Sequence, residues 1–366
     1  MLQGIMIAVH GLSPAALGPV LERLGAPAWR AGQILDWVYR RATPDPAGMN
    51  NLPVALRSAL VAEISGPAVE VAVLSRSTDG TRKFALRLGD GELVESVLIP
   101  DRHRLTLCVS SQVGCAMACR FCSTARLGLR RQLRVEEIIG QVLLAREEVS
   151  REPFGGNGLT NLVFMGMGEP LHNLSNLLPA IEILTSPWGL GISPRRITVS
   201  TVGLVPQMQE LLERTQVNLA VSLTATTEEV RLDLMPVNRR WGLRELLDAC
   251  RALPLPRRRR ITFEYVLLEG VNDTDEDARR LVALLHGIPS KVNLIHFNPF
   301  PDAPFRPTVR ERAENFQRLL LDRHLNATLR ESRGSDIAAA CGQLAATSRT
   351  GPLAARPGGD APLMPA

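Results

Sequence analysis

The stretch TLCVSSQVGCAMACRFCSTARLG, residues 106–128, decides how the rest of the chain is read. Its first part belongs to an apolar strand pattern, LTLCVS (105–110). Its second part sets Cys115, Cys119 and Cys122 in a CxxxCxxC spacing. Three thiols in so short a loop can wrap one face of an iron–sulfur cube and leave one iron without a protein ligand. Zinc is the competing metal. A closed zinc site needs a fourth Cys or His nearby, and Cys108, or more distantly His103, has the spacing to supply it. Reactive groups placed just after a strand suit a βα barrel, where the carboxyl ends of the strands carry the chemistry.

Outward from this stretch, apolar strand patterns recur at 161–166, 196–201, 218–223, 262–268 and 291–297. Helical patterns such as RVEEIIGQVLLAREEV and DEDARRLVALLHGI lie between them. Buried strands alternating with helices imply parallel βα units. Six such units, with no GxGxxG fingerprint, predict a full or partial (β/α) barrel. Upstream, RKFALRLGDGELVESVLIP reads as two strands about Gly89-Asp90-Gly91, a hairpin extension over 76–104. Residues 1–75 read as a small helical module: Ser13 is a candidate N-cap with Pro14 after it and Gly25 closing the helix, followed by APAWRAGQILDWVYRRA and PVALRSALVAEI. The expected organisation is a helical accessory domain (1–75), the hairpin extension (76–104), a catalytic barrel (105–346) and a disordered Pro/Gly/Ala-rich tail (347–366).

Composition bounds the function without naming it. The 366 residues are 45% hydrophobic and 22% charged, with a net charge of +5. That excludes a collagen, a rod or a wholly disordered chain. No apolar run reaches the ~18 residues of a membrane span, and the apolar start lacks a basic region or a cleavage site. Six cysteines are too few for a disulfide scaffold, so a cytoplasmic protein with specific uses for its thiols is expected. Two basic segments, ARLGLRRQLR (125–134) and PRRRR (256–260), are candidates for RNA phosphates, as are Arg30, Arg40 and Arg41; a solvated surface is the bland reading of each. Further polar clusters sit at successive strand ends: FMGMGEP (164–170), ITVSTVG (197–203), VSLTA (221–225) and NLIHFNPF (293–300). Cys250, on an amphipathic helix, reads as structural.

CxxxCxFC, with Phe121 before the last cysteine, resembles the signature of the radical S-adenosylmethionine (radical SAM) superfamily, whose fold is a partial βα barrel. VESVLIP (94–100), the cysteine stretch, GMGEP and RGSDIAAACGQL (333–344), together with WRAGQILDWVY (29–39), resemble more closely the radical SAM RNA adenine carbon-2 methyltransferases. These act on 23S ribosomal RNA and transfer RNA, and the likeness covers nearly all of residues 13–344.

The resemblance implies a [4Fe–4S] cluster on Cys115, Cys119 and Cys122, with the open iron chelated by SAM. It implies SAM contacts from Gly168, Glu169, Ser200, Ser222, Leu223, Thr224 and Asn298. Cys341 would be methylated by a first SAM and its methyl group activated by a radical from a second. The methylene would add to the adenine, Cys108 would resolve the protein–RNA link through a disulfide with Cys341, and Glu95 would accept a proton. Disulfide chemistry requires Cα atoms within ~7 Å, so Cys108 and Cys341 are expected to meet. The implied partners are the RNA substrate and a reducing protein such as flavodoxin or ferredoxin, with the enzyme a monomer free of the membrane. The alternatives are the related carbon-8 methyltransferases or a radical SAM enzyme with a different substrate. Thr224, Ala125 and His296 stand where the family usually has histidine, glycine and proline.

Overall fold

The structure, a computed structural model, describes residues 7–152 and 158–345. The expected tail lies outside these residues. Ten strands form one mixed sheet flanked by helices, and among the described residues no helix is long and apolar enough to cross a membrane.

The N-terminal module begins with strand β1 (Ile7–Ala8) and helix α1 (Pro14–Arg23). The Ser13 hydroxyl accepts the Ala16 amide at 3.1 Å, and Pro14 needs no partner at the first helical position. Helix α2 (Arg30–Leu35) runs into a π-turn over Asp36–Arg40, and α3 (Val54–Glu63) precedes β2 (Ile64–Ser65), which pairs in parallel with β1. Leu17, Val20, Leu21, Ile34, Leu35 and Leu60 fill this core. The Tyr39 hydroxyl donates to the carbonyls of His10 and Leu12 and ties the turn to the chain's start.

Strands β3 (Val69–Arg76), β4 (Arg82–Leu88), β5 (Leu93–Asp101) and β6 (Arg104–Cys108) form an antiparallel meander. The last seven residues of the region expected to be helical instead form part of β3. Its alternation, VEVAVLSR, is a strand period beside a wet surface, with Val71 and Val73 exposed.

From β6 the sheet becomes parallel. A small ribbon, β7 (Gln112–Gly114) with β8 (Leu129–Gln132), precedes α4 (Val135–Arg151). Then come β9 (Asn161–Phe164), α5 (Leu174–Thr185), β10 (Ile197–Thr201), α6 (Val205–Arg214) and β11 (Asn218–Ser222). Helices α7 (Glu228–Leu234) and α8 (Leu243–Ala252) follow, and then β12 (Ile261–Leu267), α9 (Asp275–Leu285), β13 (Ser290–His296), α10 (Arg310–Leu321) and β14 (Ala327–Arg330). The order is β14-β13-β12-β11-β10-β9-β6-β5-β4-β3. All six expected parallel strands form, and β14 adds a seventh that four residues of ATLR did not announce. No hydrogen-bonded pairing joins β14 to β3 among the described residues, so the barrel is partial.

Strand alternation separates two environments. Phe164, Val199, Val221, Phe263, Tyr265 and Leu294 pack under the helices. The other face carries Cys108, Ser200, Ser222, Glu264 and Asn293 into the barrel lumen.

Candidate active site

The cysteine loop follows β6 and is closed by short-range contacts. The Cys115 amide donates to the Gly128 carbonyl at 3.0 Å, and that of Cys122 to the Cys119 carbonyl. Gly114 has φ +76°, and a β-carbon there would lie 1.8 Å from the Gly128 oxygen, so only glycine fits. Burial pushes the Cys115 thiol up to about 12 and raises Cys119 and Cys122 as well. Each of these cysteines still has a stabilising influence on its anionic form: amides of Met117 for Cys115, the Arg231 charge for Cys119, and the Ala125 and Thr124 amides for Cys122.

Buried thiols with such partners suit ligation by a cationic cluster, which deprotonates them outright. No three His, Cys, Asp or Glu side chains among the described residues are grouped as ligands of one ion. A cube takes one thiolate per iron, so three buried thiols on one loop fit three irons of a [4Fe–4S] cluster.

Register brings the next group together. Cys108 pairs with Val97 on β5, and Val97 with Lys83 on β4. Cross-strand partners share a face, as do residues two apart. Lys83, Glu95 and Cys108 therefore share the lumen face. Glu95 is 1% exposed; one carboxylate oxygen lies 3.1 Å from the Lys83 ammonium and the other accepts the Ala345 amide at 2.9 Å. Lys83 also donates to the Ala338 carbonyl at 3.2 Å.

Cys341 reaches the lumen on a strap, residues 331–345, that runs from the end of β14 across to β3 and β4. The Gly334 amide donates to Asp79 at 2.9 Å, and Asp336 accepts from the Ser77 hydroxyl at 2.6 Å and the Thr78 amide at 3.2 Å. Burial opposes ionisation of Asp79, but the amides of Gly334 and Thr81 and nearby hydroxyls outweigh it and hold the carboxyl at about 2. The Asn298 amide donates to the Cys341 carbonyl at 3.1 Å and accepts from Ser332. On the cluster side, Ser123 donates its amide to the Gly342 carbonyl at 2.7 Å and Thr124 its hydroxyl to Leu344 at 2.6 Å.

Cys341 is exposed to the mouth of the barrel, yet the surrounding protein and Glu264 raise its thiol to about 11. The charge of Cys341 in turn helps raise Cys108, after burial, so the two sulfurs share one electrostatic neighbourhood. All six cysteines are free thiols.

The remaining expected contacts line the same rim. Gly168 has φ +101°, and a β-carbon would strike the Gln112 side chain at 2.5 Å; the close approach the glycine permits is to Gln112. Glu169 is buried, accepts the amides of Leu171 at 3.0 Å and Val202 at 2.9 Å, and is pushed by burial up to about 7. Its charge bears on Cys115 and Cys119, so it stands beside the cysteine loop. Ser200 is half-buried at the end of β10. Leu223 is fully buried, its amide bonded to the Glu264 carbonyl and its own carbonyl to the Ala225 amide. Thr224 has φ +53° and a buried hydroxyl without a partner, an orphan that a polar cofactor group would satisfy. Asn298 is spent on the strap.

Sequence reading missed several supports. Lys83 sits in an apolar strand, where alternation alone marks its face. Arg231 is fully buried and holds the carbonyl of Val202 at 2.8 Å and the Asn238 amide oxygen at 2.7 Å; nothing in its helix signals this. Glu264, facing the lumen and accepting Asn293 at 3.0 Å, is raised by burial to about 7. The first basic segment, ARLGLRRQLR, is met by carboxylates. Arg130, Arg131 and Arg134 of the first pair with Glu92, with Asp90 and Glu137, and with Glu136 and Glu137, and Arg126 lies 3.8 Å from Asp302. Its charges are largely neutralised by folding. Cys250 is buried on α8, as its amphipathic pattern implies.

The chain matches two family models: the radical SAM superfamily over residues 109–282 and the ribosomal RNA large subunit methyltransferase N-terminal domain over residues 7–65. Among curated relatives, "Dual-specificity RNA methyltransferase RlmN" of Geobacter sulfurreducens is 51% identical over 341 residues, 93% of this chain and 92% of that one. The protein of the same name from Syntrophotalea carbinolica is 51% identical over 325 residues, 88% and 85% of the two chains. A radical SAM methyltransferase crystal structure from Sphaerobacter thermophilus superposes with a TM-score of 0.88 at 43% identity, covering 93% of this chain and 99% of that one.

Proposed function

The chain belongs to the RlmN family of radical SAM RNA methyltransferases, and from that premise we propose that it methylates carbon 2 of an adenine in 23S ribosomal RNA and in transfer RNA. The observation that carries this reading is the strap: it brings Cys341 to the rim of the cysteine loop, in electrostatic reach of Cys108, while its end bonds to Glu95.

Adenine carbon 2 is electron-poor, so direct polar methylation is unfavourable and a carrier thiol is needed. When bound, the [4Fe–4S] cluster and two SAM molecules per turnover supply a methyl group and one-electron chemistry. Cys115, Cys119 and Cys122 would hold the cluster. Gly168, Glu169, Ser200, the Ser222–Thr224 segment and Asn298 shape the SAM side of the rim.

Cys341 loses its thiol proton and takes the methyl as a thioether. Transfer of one hydrogen atom from that methyl group to the radical that one-electron cleavage of the second SAM would supply leaves a carbon radical on the side chain, which bonds to carbon 2. One-electron oxidation of the ring adduct, chemistry that a bound cluster would support, is accompanied by loss of the carbon-2 proton to Glu95, whose carboxylate Lys83 keeps in place. The Cys108 thiolate then attacks the Cys341 sulfur. A sulfur–sulfur bond forms, the carbon–sulfur bond breaks, and its electron pair with a proton completes the new methyl group. A reducing protein of the flavodoxin or ferredoxin class restores the thiols and supplies electrons.

The test is anaerobic reconstitution with SAM, reductant and unmodified 23S rRNA or transfer RNA, followed by mass spectrometry of the digested RNA. 2-Methyladenosine is the expected product. 8-Methyladenosine would move the target carbon, and neither product with an intact cluster would overturn the RNA assignment.

A further inference from the structure

The first basic segment is consumed by ion pairs; the second is not. Arg257, Arg258 and Arg260 are exposed, and no carboxylate pairs with any of them among the described residues. Arg195 and Arg196, in the turn Pro194–Arg196, are exposed and equally without acidic partners. The two turns are far apart in sequence, but they enter neighbouring strands. Arg196 precedes β10 and Arg260 precedes β12, with only β11 between them.

Asn218, the first residue of β11, knits the turns together. Its side-chain amide donates to the Arg195 carbonyl at 2.8 Å, and its oxygen accepts from the Arg259 guanidinium. Arg259 also donates to the Gln216 carbonyl at 3.0 Å. The Arg259 charge is disfavoured by partial burial and by the nearby Arg195 charge. The fold therefore holds the Arg195 and Arg259 charges close together with no direct ion pair, Glu182 and Glu213 lying along the neighbouring cleft, and an anion would relieve their repulsion.

This face is the amino end of the parallel strands, opposite the rim that carries the cysteines. It is continuous with the N-terminal module. Arg40, at the end of the π-turn, pairs with Asp36 at 3.6 Å and donates to the Pro187 carbonyl at 2.6 Å, and Trp188 packs at a tilt against Tyr39 with ring centroids 6.4 Å apart. Pro187 and Trp188 lie on the same α5-to-β10 connection as Arg195 and Arg196.

We propose that Arg195, Arg196, Arg257, Arg258 and Arg260 form an RNA-phosphate site on the amino-end face of the barrel. The ligand is the backbone of a structured RNA reaching past the modified base; the choice of RNA over another polyanion rests on the methyltransferase reading. The arginines fit phosphate because each guanidinium can donate two parallel hydrogen bonds to it. Their role is affinity and orientation, with no part in reading bases.

The experiment measures binding of the full-length, cluster-loaded protein to an unmodified transfer RNA transcript by fluorescence anisotropy across a salt series. R196Q/R257Q/R258Q is compared with R244Q/R279Q/R310Q, which removes three exposed arginines already paired with Asp248, Glu276 and Glu314 on their own helices. The first variant should lower the slope of log affinity against log salt by roughly two to three and weaken binding roughly tenfold or more near physiological salt. The control should show less than half of each effect. Melting temperature and SAM binding, unchanged in both, show that the fold and the rim are intact. Equal losses in the two variants, or none in the first, would overturn the proposal. Preserved RNA binding with loss of binding to phosphatidylserine vesicles would also overturn it, in favour of a membrane surface. The readout needs no turnover, so failure of the methylation assay would leave this result interpretable.

Discussion

The cysteine loop (109–132) and the strap (331–345) meet at one rim, but they are held there in opposite ways. The loop is shaped by its own backbone: β7 pairs with β8, Cys115 bonds to Gly128, and Gly114 fits where no other residue does. The strap has no regular partner. Its place is set by contacts to β3, β4, β5, the cysteine loop and the end of β13, nearly all made by side chains at long range. A self-shaped loop suits ligands that must not move. A strap pinned by separate hydrogen bonds, each worth roughly 1–3 kcal/mol, suits the proposed role of a cysteine that meets a methyl donor, an adenine and Cys108 in turn.

The sharpest separation of the two regions removes the thiols that the strap and β6 contribute. C341A should abolish RNA methylation while leaving the reconstituted cluster's iron content and visible absorbance unchanged. C108A should also stop turnover, but with protein crosslinked to RNA on denaturing gels. Full methylation by either variant would remove its cysteine from the chemistry. The converse change is G114A. A β-carbon at 1.8 Å from a carbonyl oxygen at positive φ should cost several kcal/mol locally. Iron retention should fall severalfold or more while the helical module stays folded by circular dichroism. Normal iron content would show that the loop has slack.

A smaller effect is expected from D79A, which removes the acceptor for the Gly334 amide. Turnover should fall severalfold with iron content unchanged, and loss of the cluster instead would erase the distinction between the regions. Asp79 also gives this pin a pH signature. Its folded pKa of about 2 lies below the unfolded value, so its contribution is complete above about pH 4 and is lost as pH falls toward 2. Acid should therefore expose the strap to protease sooner in wild type than in D79N, which keeps an acceptor at every pH.

The smallest effect concerns the lumen between the regions. Glu264 has a raised pKa of about 7, so its contribution is complete below its unfolded value near 4.5 and is lost as pH rises to 7. E264Q should flatten the decline in melting temperature over that window, by an amount equivalent to roughly 2 kcal/mol. An unchanged pH slope would place the buried charge elsewhere.

The chain's own pattern determined the parallel strands, the βα alternation, the caps of α1 and the CxxxCxxC loop proposed to hold the cluster, because hydrophobic period, turn chemistry and ligand spacing are local. The roles assigned to Cys108, Glu95 and Cys341 came only through resemblance; as isolated residues the two cysteines read first as packing, Cys108 otherwise as a fourth metal ligand, and Glu95 as a solvent-facing position. Tertiary structure alone decided that Lys83 stands beside Glu95, that Asn298 serves the strap, and that Arg231 is buried beneath the rim. It also decided that the arginines of 125–134 meet carboxylates while those of 256–260 and 194–196 stand unpaired. The physical reason is common to all of these. Which side chains neutralise or hold one another depends on register and on which distant segments the barrel makes neighbours, and neither is encoded in the spacing of any single stretch.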